Sequence, residues 1–320
     1  MAQWNYIGCL AIHKSNGIRM VQTDTNKVPV LLIAFNRPDT TVKVLDAIAL
    51  YQPAVLYVAT DGARKDNEAD IIKCTAVHEQ VKNWQKNNPG TIVKTLYQSN
   101  NLGCGLGVST AINWFFANEE MGIILEDDCV PNQSFFIFCE SLLYKYANES
   151  SIMHIGGSNF IDPAMKTGEE SYYFSIYPQI WGWASWRRAW NKYDFEMKQF
   201  EEFIKLPKFQ RYYNEEVFIN TKSKKVDTWD SQWVYAMLMN DGLSILPHQS
   251  MVINLGYNEN SGSHLSKIPK WYSNKVYELQ EIKGPEVIIQ NAELDKHVYT
   301  KVYKRGISYR LKKLIKKKQF

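Results

Sequence analysis

The sequence predicts an α/β protein built on a mainly parallel sheet, and three observations carry that prediction. Between Val28 and about Gly122 an apolar run, a turn and an amphipathic stretch follow one another repeatedly, which is the pattern of βαβ units. The amphipathic stretches place their apolar residues at helical spacing, whereas the runs between them are short and mainly apolar. With 320 residues, 45% of them apolar and 13% aromatic, the chain can bury the sizeable core such a sheet requires.

The elements follow in order. Residues 30–35 read as the first strand, and residues 40–50 as a helix with apolar positions at Val44, Leu45, Ile48 and Ala49 and with Asp39 available as its cap. Residues 55–60 form the second strand, 67–87 a helix, 92–97 the third strand, 106–118 a helix and 122–125 the fourth strand. Ligands of such sheets collect beyond the carboxyl ends of the strands. Here those ends read Phe35-Asn36-Arg37-Pro38, Thr60-Asp61-Gly62, Gln98-Ser99-Asn100-Asn101-Leu102-Gly103 and Glu126-Asp127-Asp128, all of them polar. After Glu140 the alternation loosens, with short strands expected at 152–155 and 172–176 and a helix at 230–240. No internal repeat, low-complexity linker or clear break precedes about Lys267, so the chain divides into an extension at 1–27, a main domain at 28–266 and a C-terminal extension at 267–320.

Charge is unevenly spread. The net charge is +4, yet residues 301–320 hold nine Lys or Arg and no acid, leaving 28 bases against 33 acids in the first 300 residues. Five cysteines, at 9, 74, 104, 129 and 139, form no C-x-x-C pair and no zinc-spaced cluster, which fits reduced thiols in a cytoplasmic compartment. The apolar stretch from Tyr6 to Ile12 is too short to span a bilayer and lacks the basic start of a secretory signal.

An apolar strand that runs into Glu126, Asp127 and Asp128 sets like charges side by side, and a divalent cation relieves that repulsion. Hard carboxylate oxygens suit Mn²⁺ or Mg²⁺, which bridge to substrate phosphates. Capping of a helix from Ser134 onward is the alternative use for these acids. Asp230 lies between Trp229 and Trp233, with Asp227 three residues earlier, and indole walls can raise a carboxylate toward general-base duty; as an alternative, Asp230 is an N-cap.

Other segments carry weaker signals. His264 follows a Ser/Gly-rich loop from which an imidazole can reach a metal, and His248 lies beside a strand end at Pro247. The glycines of Asn101-Leu102-Gly103-Cys104-Gly105-Leu106-Gly107 match neither the P-loop nor the dinucleotide fingerprint, so a tight turn before a helix is expected. The aromatic stretch from Trp181 to Trp190 suits stacking on sugar faces, Trp183 first, although Trp186 and Trp190 at i, i+4 also fit a core. In the tail, Ile307, Leu311, Leu314 and Ile315 share one helical face flanked by basic residues, a pattern that lies on an anionic membrane surface. Nucleic acid is disfavoured as a partner, because the rest of the chain is acidic and no stacking motif interleaves with the charges.

Taken in order, Ile33-Ala34-Phe35-Asn36-Arg37-Pro38, Thr60-Asp61-Gly62, Leu125-Glu126-Asp127-Asp128, Gly182-Trp183 and Trp229-Asp230 resemble the GT-A nucleotide-sugar transferases, and within them the N-acetylglucosaminyltransferase I family and its bacterial relatives. The likeness covers roughly residues 28–264 and implies a GT-A fold, Rossmann-like with helices flanking the sheet. It implies that Arg37 contacts the phosphates or ribose of a nucleotide sugar, Asp61 the base, Glu126 the donor sugar and Asp127 the ribose, with Asp128 the metal ligand and Asp230 the catalytic base. His264 resembles the metal-binding histidine of other GT-A families, and Ser231-Gln232-Trp233 departs from the second acid of the animal enzymes.

The expected activity is a metal-dependent, inverting transfer of a hexosyl or N-acetylhexosaminyl group from a UDP-sugar to a glycan hydroxyl. Such a reaction serves bacterial capsule, O-antigen or exopolysaccharide synthesis on a lipid-linked acceptor at the inner face of the cell membrane. A metal-dependent nucleotidyl or phosphoryl transferase and a non-catalytic glycan-binding protein are the alternative classes.

Overall fold

The computed structural model describes residues 17–19, 27–161, 165, 168–257, 273 and 275–304. Its first half follows the βαβ rhythm: β1 (Gly17–Arg19), β2 (Val30–Ala34), α1 (Pro38–Tyr51), β3 (Val55–Thr60), α2 (Glu68–Asn87), β4 (Ile92–Tyr97), α3 (Gly103–Asn118) and β5 (Met121–Glu126). The second half mixes shorter pieces: β6 (Cys129–Pro131), α4 (Gln133–Lys145), β7 (Ile152–Gly156), β8 (Tyr172–Ser175), β9 (Trp183–Trp186) and α5 (Arg187–Trp190). Then come α6 (Phe200–Phe203), α7 (Pro207–Tyr212), α8 (Glu215–Lys222), α9 (Asp230–Met239), β10 (Leu243–Pro247), β11 (Val252–Asn254), β12 (Glu281–Lys283) and α10 (Ala292–Val298).

One eight-stranded sheet organises the molecule, in the order β4-β3-β2-β5-β9-β7-β10-β8. β4, β3, β2 and β5 run parallel, β9 is inserted antiparallel between β5 and β7, β10 is parallel to β7, and β8 closes the edge antiparallel. The mixed α/β fold with a mainly parallel sheet is the one the sequence predicts. β9 was not foreseen as a strand; it converts the tryptophan-rich stretch into the middle of the sheet.

Both faces of β2, β3 and β5 are buried, so alternate residues feed two separate cores, whereas the edge strand β4 is largely exposed. Val30 and Leu32 of β2, Val58 of β3 and Ile123 and Leu125 of β5 pack against α1 and α4 through Leu45, Ile48, Phe135 and Phe136. Leu31, Tyr57, Ala59 and Ile124 face the other way, toward Ile112 and Phe115 of α3 and a group of tryptophans. A third cluster of Tyr173, Tyr177, Phe203, Phe209, Phe218, Tyr235, Leu294 and Val298 covers the β8 edge.

Two helix starts depart from expectation for local reasons. Asp39 does not cap α1: Arg37 holds the N-cap position without a side-chain bond, Pro38 opens the helix, and Asp39 sits inside its first turn. α3 begins at Gly103, ahead of the expected 106, because carboxylates from elsewhere in the chain satisfy its first amides, as described below. α2 and α4 follow the ordinary rule, with Asn67 accepting from Asp70 N–H and Asn132 from Phe135 N–H.

Residues 275–304 return to the sheet. β12 pairs antiparallel with β1, and Gln290 bridges to Phe174. Asp295 of α10 is fully buried and accepts from Ser175 Oγ at 2.6 Å, Ile176 N–H at 3.2 Å and Gln290 Nε2 at 2.8 Å. Burial lifts its carboxyl from 3.8 to about 6, against the pull of those hydrogen bonds. The folded protein therefore holds this proton more tightly than the unfolded chain, and the stability the site contributes is lost as pH rises from about 4 through 6. Asp295→Asn removes that term. Denaturant unfolding between pH 4 and 7 should show the wild type losing ~1–3 kcal/mol relative to the variant as pH rises; a pH-independent difference would contradict this.

Candidate active site at the carboxyl ends of the strands

The chain leaves β2 toward β3 and β4 on one side, then returns to place β5 on the other. This reversal of strand order is where open α/β sheets form a ligand crevice. The loop after β2 carries Arg37, and β5, whose Glu126 pairs with Ile33, runs directly into the acidic triplet. Arg37 Nη1 lies 2.7 Å from Asp128 Oδ2 and 3.4 Å from Asp127 Oδ1, while Phe35 N–H donates to Asp127 Oδ2 at 3.0 Å. Asp127 and Asp128 are nearly buried, whereas the Arg37 side chain is 41% exposed.

One guanidinium does not neutralise two buried carboxylates and a half-buried third. Burial, then the charges of Asp128, Asp127 and Asp230, push Glu126 up to about 8 even though Arg37 pulls it down. Burial and Asp128 push Asp127 up to about 6, against Arg37 and the Phe35 amide. The triplet does not cap α4, whose N-cap is Asn132. The β6–β11 ribbon carries the chain back across the site: Leu255 N–H donates to Asp128 carbonyl at 2.7 Å. A Cβ at Gly256 would come within 2.4 Å of Asp128 Oδ2, so glycine lets the backbone pass against the carboxylate.

Asp61 and Asp227 together build the start of α3. Asp61 accepts from Leu102 N–H at 2.8 Å, Gly103 N–H at 3.0 Å, its neighbour Gly62 N–H at 2.9 Å and Asn101 Nδ2 at 2.9 Å. A nucleobase contact from Asp61 would have to displace one of these bonds. Asp227 accepts from Cys104 N–H at 2.8 Å and Gly105 N–H at 2.9 Å, anions on a helix N-terminus. A Cβ on Gly103 or Gly105 would fall 2.4 or 2.6 Å from the Asp227 carboxylate, which explains glycines that match no phosphate motif. Sequence reasoning placed Asp227 beside Asp230 and missed this bond; the glycine pair itself was the available signal.

A second cluster, also missed, lies at the ends of β2 and β3. Buried Asp70 accepts from Arg64 Nε at 2.5 Å and Nη2 at 2.9 Å and from Asn36 Nδ2 at 2.6 Å. Those donors, Arg64 first, hold its carboxyl below the usual range. His78 stacks on Tyr97 with ring centroids 3.9 Å apart and bonds Thr60 Oγ1 at 2.8 Å.

Asp230 is the first residue of α9, and the N-cap is Trp229, so the simple capping alternative does not hold. Its Oδ1 accepts from Thr228 Oγ1 at 2.5 Å and from Ser231 N–H at 2.7 Å. The flanking indoles do not wall the carboxylate. Trp229 and Trp233 are 2% and 0% exposed and pack inward on Trp183 and Trp190. Trp183 itself is fully buried in β9, stacked on His154 at 5.1 Å and Trp229 at 5.5 Å, which corrects the expectation of a sugar-facing platform. Burial lowers His154 to about 3, so it is a neutral core histidine, with Nδ1 accepting from Trp233 Nε1 and Nε2 facing Gln179 carbonyl. His248 is buried against the Tyr173 ring.

Among the described residues no group of three or more His, Cys, Asp or Glu converges as a ready metal cage. The donor chemistry still fits Mn²⁺ or Mg²⁺, which bind through one or two carboxylates with phosphate and water oxygens completing the shell. Asp128 and its neighbours offer hard oxygens in a site with excess negative charge. His264, most of residues 1–26 and the basic residues 305–320 lie outside the described residues. Among those described, no helix is long and apolar enough to cross a membrane, and Cys74, Cys104, Cys129 and Cys139 are free thiols.

No family model matches the chain, and no curated protein matches its sequence. Among solved structures it is similar to the mannosyltransferase PcManGT from Pyrobaculum calidifontis in complex with GDP-Man and Mn²⁺, at 13% identity and a TM-score of 0.45. That match covers 74% of this chain and 59% of the mannosyltransferase chain, so the chain spans less than two thirds of that protein. It is also similar to a UDP-glucose pyrophosphorylase complexed with UDP-glucose, at 9% identity and a TM-score of 0.39, over 72% of this chain and 94% of that one.

The α3 clasp can be tested by itself. Asp227→Ala should cost ~1 kcal/mol, as for a lost helix cap, and should accelerate hydrogen exchange at the Cys104 and Gly105 amides. Unchanged protection at those two amides would show that the carboxylate does not hold them.

Proposed function

We propose that the chain is a metal-dependent glycosyltransferase that moves a sugar from a nucleoside diphosphate, UDP by the resemblance, to a glycan hydroxyl with inversion. The observation that carries this reading is the triplet of half-buried Glu126 with buried Asp127 and Asp128, which has too little positive charge beside it in Arg37, at the point where strand order reverses. A site of that kind suits a diphosphate carried with a divalent cation. The likeness to the N-acetylglucosaminyltransferase I family belongs to this proposal.

In the proposed mechanism Arg37 contacts the donor phosphates, Asp128 holds the metal, Asp127 is positioned by Phe35 N–H toward the ribose, and Glu126 faces the donor sugar. Asp61 acts by fixing the loop that starts α3. When bound, Mn²⁺ or Mg²⁺ neutralises the charge developing on the departing diphosphate. With Oδ1 of Asp230 engaged by Thr228 and Ser231, Oδ2 is the oxygen that takes the proton of the acceptor hydroxyl. The acceptor oxygen forms its bond to the anomeric carbon as the bond from that carbon to the phosphate oxygen breaks. The electron pair leaves on the nucleoside diphosphate, and a single displacement inverts the centre.

Asp230→Asn should lower transfer by ~10²-fold or more while donor binding persists; unchanged turnover would sink the assignment. Asp128→Ala should abolish the Mn²⁺ dependence of donor binding in isothermal titration, and retained dependence would place the ligand elsewhere.

The acceptor we propose is a lipid-linked intermediate of surface polysaccharide synthesis, reached through the basic tail at the inner membrane face. Deleting Lys301 to Phe320 should release the protein from anionic vesicles at low salt, since each basic residue near the headgroups contributes about 1 kcal/mol. Undiminished co-sedimentation would count against a membrane role for the tail.

A further inference from the structure

The proposed base stands at the entry to α9, and no side chain caps that entry: Trp229 holds the N-cap position without a side-chain bond. Other hydrogen bonds fix the segment. Gln232 Nε2 donates to Thr228 carbonyl at 2.9 Å, while Thr228 Oγ1 and Ser231 N–H donate to Asp230 Oδ1 at 2.5 and 2.7 Å. Trp229 carbonyl accepts twice, from Trp233 N–H at 3.3 Å and from the Tyr193 hydroxyl at 3.1 Å. Of these bonds, Tyr193's alone comes from outside residues 228–233, 36 positions away from its acceptor in the chain. The helical bond is longer than the usual ~2.9 Å, as expected of a carbonyl shared between two donors.

Tyr193 is itself firmly held. Its N–H donates to Trp190 carbonyl at 2.8 Å, and its ring stacks on Trp190 with centroids 4.2 Å apart and planes 13° from parallel. Trp190 is buried and anchored in turn by its indole N–H on Asn113 Oδ1 at 2.7 Å, so the phenol rests on the tryptophan block that also holds Trp229. A phenylalanine would stack there equally well, and it is the hydroxyl that reaches the N-cap. Burial, then the negative charge of Asp230, raise the phenol above its ordinary value, so Tyr193 keeps its proton and is the donor. The accepting carbonyl belongs to the peptide unit that joins Trp229 to Asp230. That unit is planar, so fixing its oxygen fixes the plane from which Asp230 projects.

We propose that Tyr193 is a positioning residue for Asp230, setting through Trp229 carbonyl the direction in which the carboxylate meets the acceptor hydroxyl. Thr228 and Ser231 then hold Oδ1, which leaves Oδ2 for the proton. A base displaced by a fraction of an ångström slows the reaction without loosening the donor, because its placement matters to the reacting hydroxyl alone. The proposal rests on Asp230 being the base.

The test is a double-mutant cycle on the full chain. It reads UDP release from UDP-glucose, UDP-galactose, UDP-N-acetylglucosamine and UDP-N-acetylgalactosamine with Mn²⁺ present and water as the acceptor. Tyr193→Phe, which keeps the ring on Trp190, should lower kcat by roughly 3- to 10-fold, the worth of one hydrogen bond, with donor KM unchanged. In the Asp230→Asn background the same substitution should change the rate by less than ~2-fold, because the carboxylate it aims is gone. Unchanged kcat in Tyr193→Phe, or an equal fall in both backgrounds, overturns the proposal and leaves Asp230 as the base. A variant that loses donor affinity along with kcat marks Tyr193 as a structural residue and overturns it too. Full turnover by Asp230→Asn, or none by the wild type, removes the proposed base and the positioning role with it.

Discussion

The pairing of β2 with β5 is the constraint on which the candidate site depends. It sets the loop after β2, with its single arginine, against a strand that ends in three carboxylates. Parallel register fixes the two loops at the same level, since Ile33 is opposite Glu126, and the ion pair of Arg37 with Asp127 and Asp128 follows from that placement. Without the reversal of strand order the acids would have no cation beside them, and their burial would be far more costly.

A second layer of carboxylates does quieter work around this pair. Asp61 and Asp227 spend their oxygens on backbone amides at the start of α3, from opposite sides, and in doing so tie the end of β3 and the approach to α9 to one helix terminus. Asp230 therefore stands on a helix whose entry is held by Asp227 three residues before it. The acidic character of the main domain has a structural side: several of its carboxylates are hydrogen-bonded fixtures, and the excess of unpaired charge concentrates at the triplet.

The strands of the first half were legible because each is a short apolar run closed by polar residues; β3 and β4 fall at the expected 55–60 and 92–97. The positions of Arg37 and the triplet at strand ends followed from the same pattern. What the sequence did not disclose depends on contacts between distant segments. Trp183 reads equally well as a sugar platform or as core until β9 is known to lie inside the sheet, because an indole suits both environments. Asp227 looks like a companion of Asp230, three residues on, until the fold brings it against amides more than a hundred residues earlier. The glycines at 103 and 105 were a trace of that contact, since a backbone that must meet a carboxylate closely cannot carry a Cβ there.

In the proposed mechanism Arg37 and a divalent cation would answer the same electrostatic need from two directions, the first fixed in the chain and the second arriving with a diphosphate. That division gives the account its central claim: the site accepts a nucleoside diphosphate only together with the metal. The direct measurement is the thermal unfolding midpoint of the wild-type protein with UDP, GDP, CDP or dTDP, each with and without Mn²⁺, because a ligand bound to the native state raises its apparent stability. The account predicts that at least one nucleotide, UDP foremost, raises the midpoint in the presence of Mn²⁺ and not in its absence. No shift with any of the four, or an equal shift without the metal, would contradict it.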